Sequence, residues 1–541
     1  MTDLEIPFEK DRHGHYRFFE ILPGALSYFM LALPIILSLI NTTVAAIFAI
    51  LYLLIIFTRG ISGVVRSLHG YHVMRVHQKL PWSDMLAELE KGEVSPLAKR
   101  PKWHRAEVVR SKGERPLLMR PSQVVHAVIV TVYKESREVV QPTIESILAS
   151  KFNMKNVLLI LAYEERGGKD TAQMAASLRK AYKKQFKDVL AIKHPSGIKG
   201  EIIGKGGNIN YAGHKLVDYA RKKKIDPLRI MVTTLDADNR PDPNYLNALT
   251  YAYVAAPNPI HASYQPVSLY TNNIWDAPAL TRVVAVGNSF FNIVTSLRTH
   301  ALRNFSSHSQ PLSGLQQTNF WSGRTVVEDG HQFWRSYFAF DGNYRVLPLH
   351  VPIYQDAVMS DSLLKTLKAQ FIQLRRWTYG ASDVAYVAEM GFYRKNNISR
   401  FDLFTKFWRL LEGHITWAIG PILSVVIGSI PAFFNHQSFT ANELPLVASR
   451  MGQIGVVIGV LALVFTGFRT LPKKPARYKH HRTILMVLQW VYLPITTWLY
   501  NPLAAFNSQT RLIFKWYLTK FDVTEKAVVV ETAGRRSGLK S

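Results

Sequence analysis

The chain has 541 residues, 48% of them hydrophobic and none of them cysteine, and its 66 Lys and Arg against 38 Asp and Glu give a formal charge of +28. Without cysteine there are no disulfides and no thiolate metal sites. The charge does not point to nucleic acid, because the basic residues flank apolar blocks and no nucleic-acid-binding motif is present; attraction to anionic membrane lipids accounts for them more simply.

Residues 24–41 and 44–58 are two uncharged apolar runs separated by Asn41-Thr42-Thr43, each near the length needed to cross a bilayer, so a helical hairpin is expected. A cleaved leader would be unusually long and acidic here, and a second run follows at once. Residues 60–80 mix Arg, His and Lys with Leu and Val and read as an interfacial helix. The first unit is thus 1–80, and the proline-rich, charged stretch 81–122 is its connector.

A catalytic domain is expected over 123–392. The apolar run 124–132 reads as a buried strand ending in Tyr133-Lys134-Glu135, with a helix near 139–150. A second strand at 156–165 again ends in acids and is followed by a basic helix at 170–186; this βαβα alternation predicts a mainly parallel sheet. Gly204 to Asn210 form a small-residue loop with Lys205 that opens another helix, its glycines suited to close backbone approach and its lysine to a phosphate. The strand in 230–243 then ends in Asp236-Ala-Asp238. Ligands bind beyond the carboxyl ends of strands in such sheets, and two carboxylates one residue apart suit a hard cation, Mg2+ or Mn2+, shared with a diphosphate. Glu328-Asp329 open a helix, where acids are favoured by its dipole. A helical pattern over 363–372 leads into Gln373-Leu-Arg-Arg376-Trp377, with Arg for phosphate and Trp for a sugar face.

Residues 393–412 read as a second interfacial helix, and 413–508 as a membrane region with apolar runs at 413–434, 451–468 and 483–506. Residues 509–541 form a basic tail that frays over 527–541. The basic flanks put the catalytic domain in the cytoplasm of an integral, multi-pass membrane protein. Five simple crossings would leave the tail on the far side, but Pro494 and Pro502 point to a broken or re-entrant last segment and a cytoplasmic tail.

The order Tyr133-x-Glu135, Lys205-x-x-x-Ile209-Asn210, Asp236-x-Asp238, Glu328-Asp329 and Gln373-x-x-Arg376-Trp377, within residues 120–380, resembles the membrane-bound family 2 glycosyltransferases, which include cellulose, chitin and hyaluronan synthases. Phe521-Asp522-Val523-Thr524-Glu525-Lys526 is a weaker echo. The resemblance implies an α/β GT-A domain (Rossmann-like, mainly parallel mixed sheet) joined to an α-helical transmembrane region. It further implies a nucleotide-sugar donor, UDP-linked by preference, held by Tyr133, Glu135, Lys205, Asp236 and Asp238. Asp236 and Asp238 would serve the metal, Asp329 would be the catalytic base, and Gln373, Arg376 and Trp377 would close the site over diphosphate and acceptor. Tyr163-Glu164-Glu165 stands where many members carry an Asp pair, leaving a uridine contact to Glu164 or Glu165. Lys134 replaces a common Asn, and 313–327 lacks the usual acceptor-side Cys-Gly.

The chemistry agrees with these residue types. A departing diphosphate needs cationic stabilisation, and an attacking hydroxyl needs a carboxylate base. Asp356 and Asp361 are rival bases outside the Glu-Asp pair. A single displacement inverts configuration, so an α-linked donor gives a β-glycoside. The leading expectation is a synthase extending a β-linked polysaccharide. The alternatives are a transferase adding one sugar to a lipid or short acceptor, and a non-catalytic transporter or scaffold.

Overall fold

The computed structural model describes residues 3–521; Asp522 to Lys526 and the rest of the expected tail lie outside the described residues. Two long helices open the chain, α1 (Gly14–Ile40) and α2 (Thr42–Lys79), followed by the short α3 (Trp82–Lys91) and α4 (Lys102–Lys112). Asn41 makes the turn between the first two, its Oδ1 accepting from the backbone N–H of Thr43 and Val44 at 3.0 and 3.2 Å, an N-cap for α2.

The strands are β1 (Val125–Val132), β2 (Val157–Glu164), β3 (Asp188–His194), β4 (Ile230–Asp236), β5 (Arg240–Pro241), β6 (Ala262–Tyr270), β7 (His308–Pro311) and β8 (Arg345–Gln355). They form one sheet in the order β3-β2-β1-β4-β7-β6-β8-β5. The first four are parallel, with Thr131 opposite Asp236 and Glu164 opposite His194, so their carboxyl ends share one edge. β7 is antiparallel to β4 and β6, β6 and β8 are parallel, and β5 is antiparallel to β8. The sheet is therefore mixed, with its parallel part confined to the half read as βαβα.

The helices of this region are α5 (Arg137–Leu148), α6 (Gly168–Tyr182), α7 (Lys205–Lys223), α8 (Tyr245–Ala255), α9 (Ala279–Ser296), α10 (Leu312–Gln317), α11 (Glu328–Ala339), α12 (Leu363–Thr378) and α13 (Asp383–Ala388). Apolar side chains of α3, α5, α6 and α8 cover one face of the sheet, and those of α7 and α10 the other. Burial on both faces is why β1, β2 and β4 are continuous apolar runs. The stretch 81–122, expected as a connector, holds α3 and α4, and His104 in α4 bridges Glu88 and Tyr251 at 2.9 Å each.

The chain ends with α14 (Arg400–Val426), α15 (Ile430–Phe434), α16 (Phe439–Thr470), α17 (His480–Leu488) and α18 (Asn501–Ile513). Three helices are long and apolar enough to cross a membrane, namely α1, α2 and the Ala441–Thr470 part of α16. A fourth span results if His480–Tyr492 and Ile495–Ile513, bent by 44°, count as one. Residues 60–79 are not a separate interfacial helix but the continuation of α2, whose 38 residues measure about 57 Å. Residues 400–411 likewise run unbroken into α14. In both places the composition changes while the helix's hydrogen-bond ladder carries on.

Candidate active site

Lys205, at the first position of α7, sends its Nζ to Asp236 Oδ1 at 2.6 Å and to the carbonyl of Ser306 at 2.8 Å. Asp236 is the last residue of β4, so the ion pair closes the carboxyl edge of the sheet. Asp238 is 5% exposed, and its Oδ2 accepts the backbone N–H of Asp356 at 3.1 Å. Glu328 and Asp329 form the first turn of α11, where unpaired backbone N–H groups favour acids. The N–H of Gly330 donates to Asp329 Oδ1 at 2.7 Å.

The electrostatics show how closely these groups face one another. Burial works to neutralise Lys205, but Asp236, Glu328 and Asp329 outweigh it and hold the ammonium above the ordinary lysine value. Burial, then the neighbouring Asp329, push Glu328 well above the carboxylate range, despite Lys205 and Arg376. Burial also raises Asp329, with Lys205 and the Gly330 amide pulling the other way and Asp236 adding to the rise. Burial depresses the Arg376 guanidinium, opposed by Glu328, Asp236 and Asp329. Lys205, Asp236, Glu328, Asp329 and Arg376 are thus one electrostatic unit, assembled from the starts of α7 and α11, the end of β4 and the last turn of α12.

Aromatic rings line this unit. Trp377 and Tyr270 face each other with centroids 6.1 Å apart, and the Arg376 guanidinium lies 3.7 Å from the centroid of Phe521. Burial raises the Tyr270 hydroxyl, and Asp236, Asp238 and Asp329 add to the effect. Tyr270 closes β6 and was not singled out from the sequence; the apolar strand ending in Tyr-Thr-Asn-Asn is the signal that marks it. Gln373 accepts from Gln370 Nε2 at 3.0 Å, one turn back on α12.

The remaining expected residues lie further along the same edge. Glu135 folds back so that its Oε2 accepts the Tyr133 backbone N–H at 2.7 Å, and Arg166 and Lys134 lie 5.6 and 5.3 Å from the Tyr133 ring. Glu164 is buried, its Oε2 accepting from Arg166 at 2.7 Å and 3.1 Å from His194 Nδ1. His194 Nε2 lies 3.1 Å from Glu201. Burial opposes protonation of this imidazole, but its bonds to Glu164 and Glu201 prevail and raise it to about 9. Sequence reasoning missed His194 and Glu201, which no short spacing connects to Glu164.

The glycines of the 204–210 loop are required by the chain's own packing. A Cβ at Gly206 would come within 2.5 Å of the Ser322 carbonyl and 3.1 Å of Glu328, and one at Gly207 within 2.7 Å of Glu201. They let α7 press against the chain's own acids. None of the site residues lines the cavity of about 460 Å³ bounded by His77, Trp82, Trp103, Tyr251 and His350.

Among the described residues no three His, Cys, Asp or Glu side chains gather into a cation cage. Asp236 and Asp238 instead offer an all-oxygen pair, a donor set that fits a hard divalent cation taking its other ligands from a phosphate-bearing substrate.

No family model and no curated protein matches the chain. Among solved structures it is similar to the mannosyltransferase PcManGT from Pyrobaculum calidifontis in complex with GDP-Man and Mn2+, at 13% identity and a TM-score of 0.37, covering 82% of this chain and 98% of that one. It is also similar to TarS 1-349 from S. aureus in complex with UDP-GlcNAc, at 11% identity and a TM-score of 0.36, covering 75% and 95%.

Proposed function

We propose that the chain is an inverting, metal-dependent membrane glycosyltransferase of the family 2 type, moving a sugar from a nucleotide donor, UDP-linked by preference, to a growing β-linked polysaccharide. The observation that carries this reading is the buried meeting of Lys205 and Asp236 with Glu328, Asp329 and Arg376, beside Tyr270 and Trp377.

The acceptor hydroxyl bonds to the anomeric carbon as the bond from that carbon to the diphosphate breaks, and the hydroxyl proton passes to Asp329. Two adjacent buried carboxyls resist double ionisation. Burial and the neighbouring Asp329 favour a proton on Glu328, which leaves Asp329 as the base, oriented by the Gly330 amide. A base raised toward working pH is matched to this task. Lys205 and Arg376 meet the charge that develops on the diphosphate. A cation held by Asp236 and Asp238 supplies further charge neutralisation when bound. Trp377 and Tyr270 offer flat faces to sugar rings.

The helix contacts support a multi-pass topology with the tail beside the sheet. α14 leaves the sheet side, where Tyr337 donates to Asp402, and ends near the α1–α2 turn, where Asn435 Nδ2 lies 3.3 Å from Thr42. α16 returns to Pro472, whose carbonyl accepts from Trp275. The bent pair begins at Trp275, through Arg482, and ends where Leu518 N–H donates to Tyr379. On this reading α1, α2 and α16 cross together with the apolar stretch 413–434 of α14 and α15, and the bent pair lies on the catalytic side.

The test incubates the full chain in detergent with Mn2+ or Mg2+ and a panel of nucleotide sugars, following free nucleoside diphosphate and product size. Diphosphate release with a long β-linked product is expected. A short glycolipid would replace the polymer reading with single transfer, and no release from any donor, with or without membrane extract as acceptor, would overturn the enzyme reading. Asp238→Ala should weaken donor binding only where the divalent cation is present.

A further inference from the structure

A second concentration of charge takes no part in this chemistry. α2 carries Arg59 and Arg66 two turns apart, hence on one face. α9 meets α2 at Gly70, where a Cβ would come within 2.8 Å of Ile293 and 3.4 Å of Leu297. That close approach sets Arg298, just past the end of α9, next to Arg66 one turn before Gly70. α14 brings Arg409 and Glu412, one turn apart, and Glu412 Oε1 accepts from Arg59 Nη1 at 2.5 Å. Arg59 thus pairs with Glu412, and Arg66, Arg59, Arg409 and Glu412 all lie near enough to Arg298 to act on its charge.

Several arginines elsewhere are matched to a carboxylate directly. Arg12 and Arg17 share Glu20, Arg100 pairs with Glu88, and Arg335 with Glu5. In the four-arginine group, Glu412 is the only carboxylate among the described residues within ion-pair distance. The crowding is felt: burial, then Arg66, Arg59 and Arg409, hold Arg298 below its ordinary value, and burial with Arg409, Arg298 and Arg66 does the same to His300. Like charges gathered round a single counter-charge repel one another, and an anion would complete the set.

The surroundings indicate which anion. Arg59 is the first charged residue after the apolar run of α2. On the same three helices Phe291, Phe404 and Trp408 stand 52%, 58% and 52% exposed, with Val65 at 60%. Exposed aromatic and aliphatic side chains interleaved with arginines belong to the headgroup layer of a bilayer, and guanidinium pairs with phosphate bidentately.

We propose that Arg59, Arg66, Arg298 and Arg409 form a site for the phosphate of an anionic lipid headgroup. Glu412 orients Arg59, and Phe291, Phe404 and Trp408 lie against the adjoining acyl chains. The proposal rests on the membrane reading above and is independent of the sugar-transfer reading. Occupancy would tie α2, α9 and α14 together at the bilayer surface, and the other end of α9 packs through Leu280 and Val284 against Leu374 and Trp377.

The test takes the full chain purified in detergent and compares phosphatidylglycerol, phosphatidylcholine and inorganic phosphate by native mass spectrometry and thermal melting. The wild type should retain phosphatidylglycerol several-fold over phosphatidylcholine and melt higher with it, with no gain from inorganic phosphate. The R298Q/R409Q double variant should lose that preference, yet melt at or above the wild type in lipid-free detergent because repulsion is relieved. This last readout shows that the variant folds and separates binding from a purely structural role. Equal retention of the two lipids, an unchanged preference in the variant, or an equal gain from inorganic phosphate would each overturn the proposal. Failure of the wild type to enter vesicles of either composition would instead overturn the membrane reading.

Discussion

At the carboxyl end of β3, His194 lies between Glu164 and Glu201, with Arg166 closing on Glu164. One strand end away across β1, Lys205 lies against Asp236 with Glu328, Asp329 and Arg376 around it. The first group is closed: each carboxylate meets a cation directly, and the imidazole holds its proton up to about pH 9. The second is uneven, with both carboxyls forced upward by burial, Glu328 also by Asp329 and Asp329 also by Asp236. Both are charge clusters on one sheet edge, yet only the uneven one keeps protonation states open to change near neutrality, which is what acid–base chemistry uses. The even one fixes the loop that leads into α7.

Substitutions can break this contrast in order of size. Asp329→Asn should lower turnover by roughly 10²–10⁴-fold while donor binding by calorimetry persists; undiminished turnover would move the base elsewhere. His194→Gln should destabilise the protein by up to about 3 kcal/mol at pH 6. The sign follows from a folded value raised from 6.5 to about 9, so the stabilisation is complete below pH 6.5 and fades as pH rises through 9. Melting curves of variant and wild type should therefore converge by pH 10, and a gap that does not change with pH would remove the charge argument. Gly206→Ala should cost about 1–3 kcal/mol, because its new methyl meets the Ser322 carbonyl and Glu328; a neutral melting temperature would show that α11 can retreat. Glu135→Ala removes the acceptor of the Tyr133 N–H and should cost about 1 kcal/mol. A weakened donor affinity exceeding that stability loss would mark Glu135 as a ligand contact as well.

Much of the parallel half was legible because β1, β2 and β4 are buried on both faces and read as unbroken apolar runs ending in acids. The other half was not. β7 reads His-Ser-Gln-Pro and resembles a loop, but its side chains find partners inside: Ser309 bonds Thr233 and Tyr245, and Gln310 Nε2 donates to Tyr344. β8 holds Pro348 and Pro352, tolerated because the pairing shifts register there. Lys205, Asp236 and Glu328-Asp329 could be picked out because each sits at a strand or helix end. His194 could not, since a lone histidine after an edge strand carries no pattern. The break in 483–506 was visible in Pro494 and Pro502, and the bend falls between Tyr492 and Ile495. The continuity of α2 through 60–79 was hidden by its change of composition.

Ile203 pairs with Lys520 as an isolated parallel bridge, and the Phe521 N–H donates to the Ile203 carbonyl at 2.6 Å. The contact closes a far longer stretch of sequence than any strand pairing of the sheet. Contacts of such separation form late in folding. The sheet and its charged edge can therefore assemble first, and the aromatic wall over Arg376 arrives only after every intervening helix has found its place. Assembly itself thereby becomes a safeguard: a chain whose α14–α18 helices are misplaced has a folded sheet but an unfinished site.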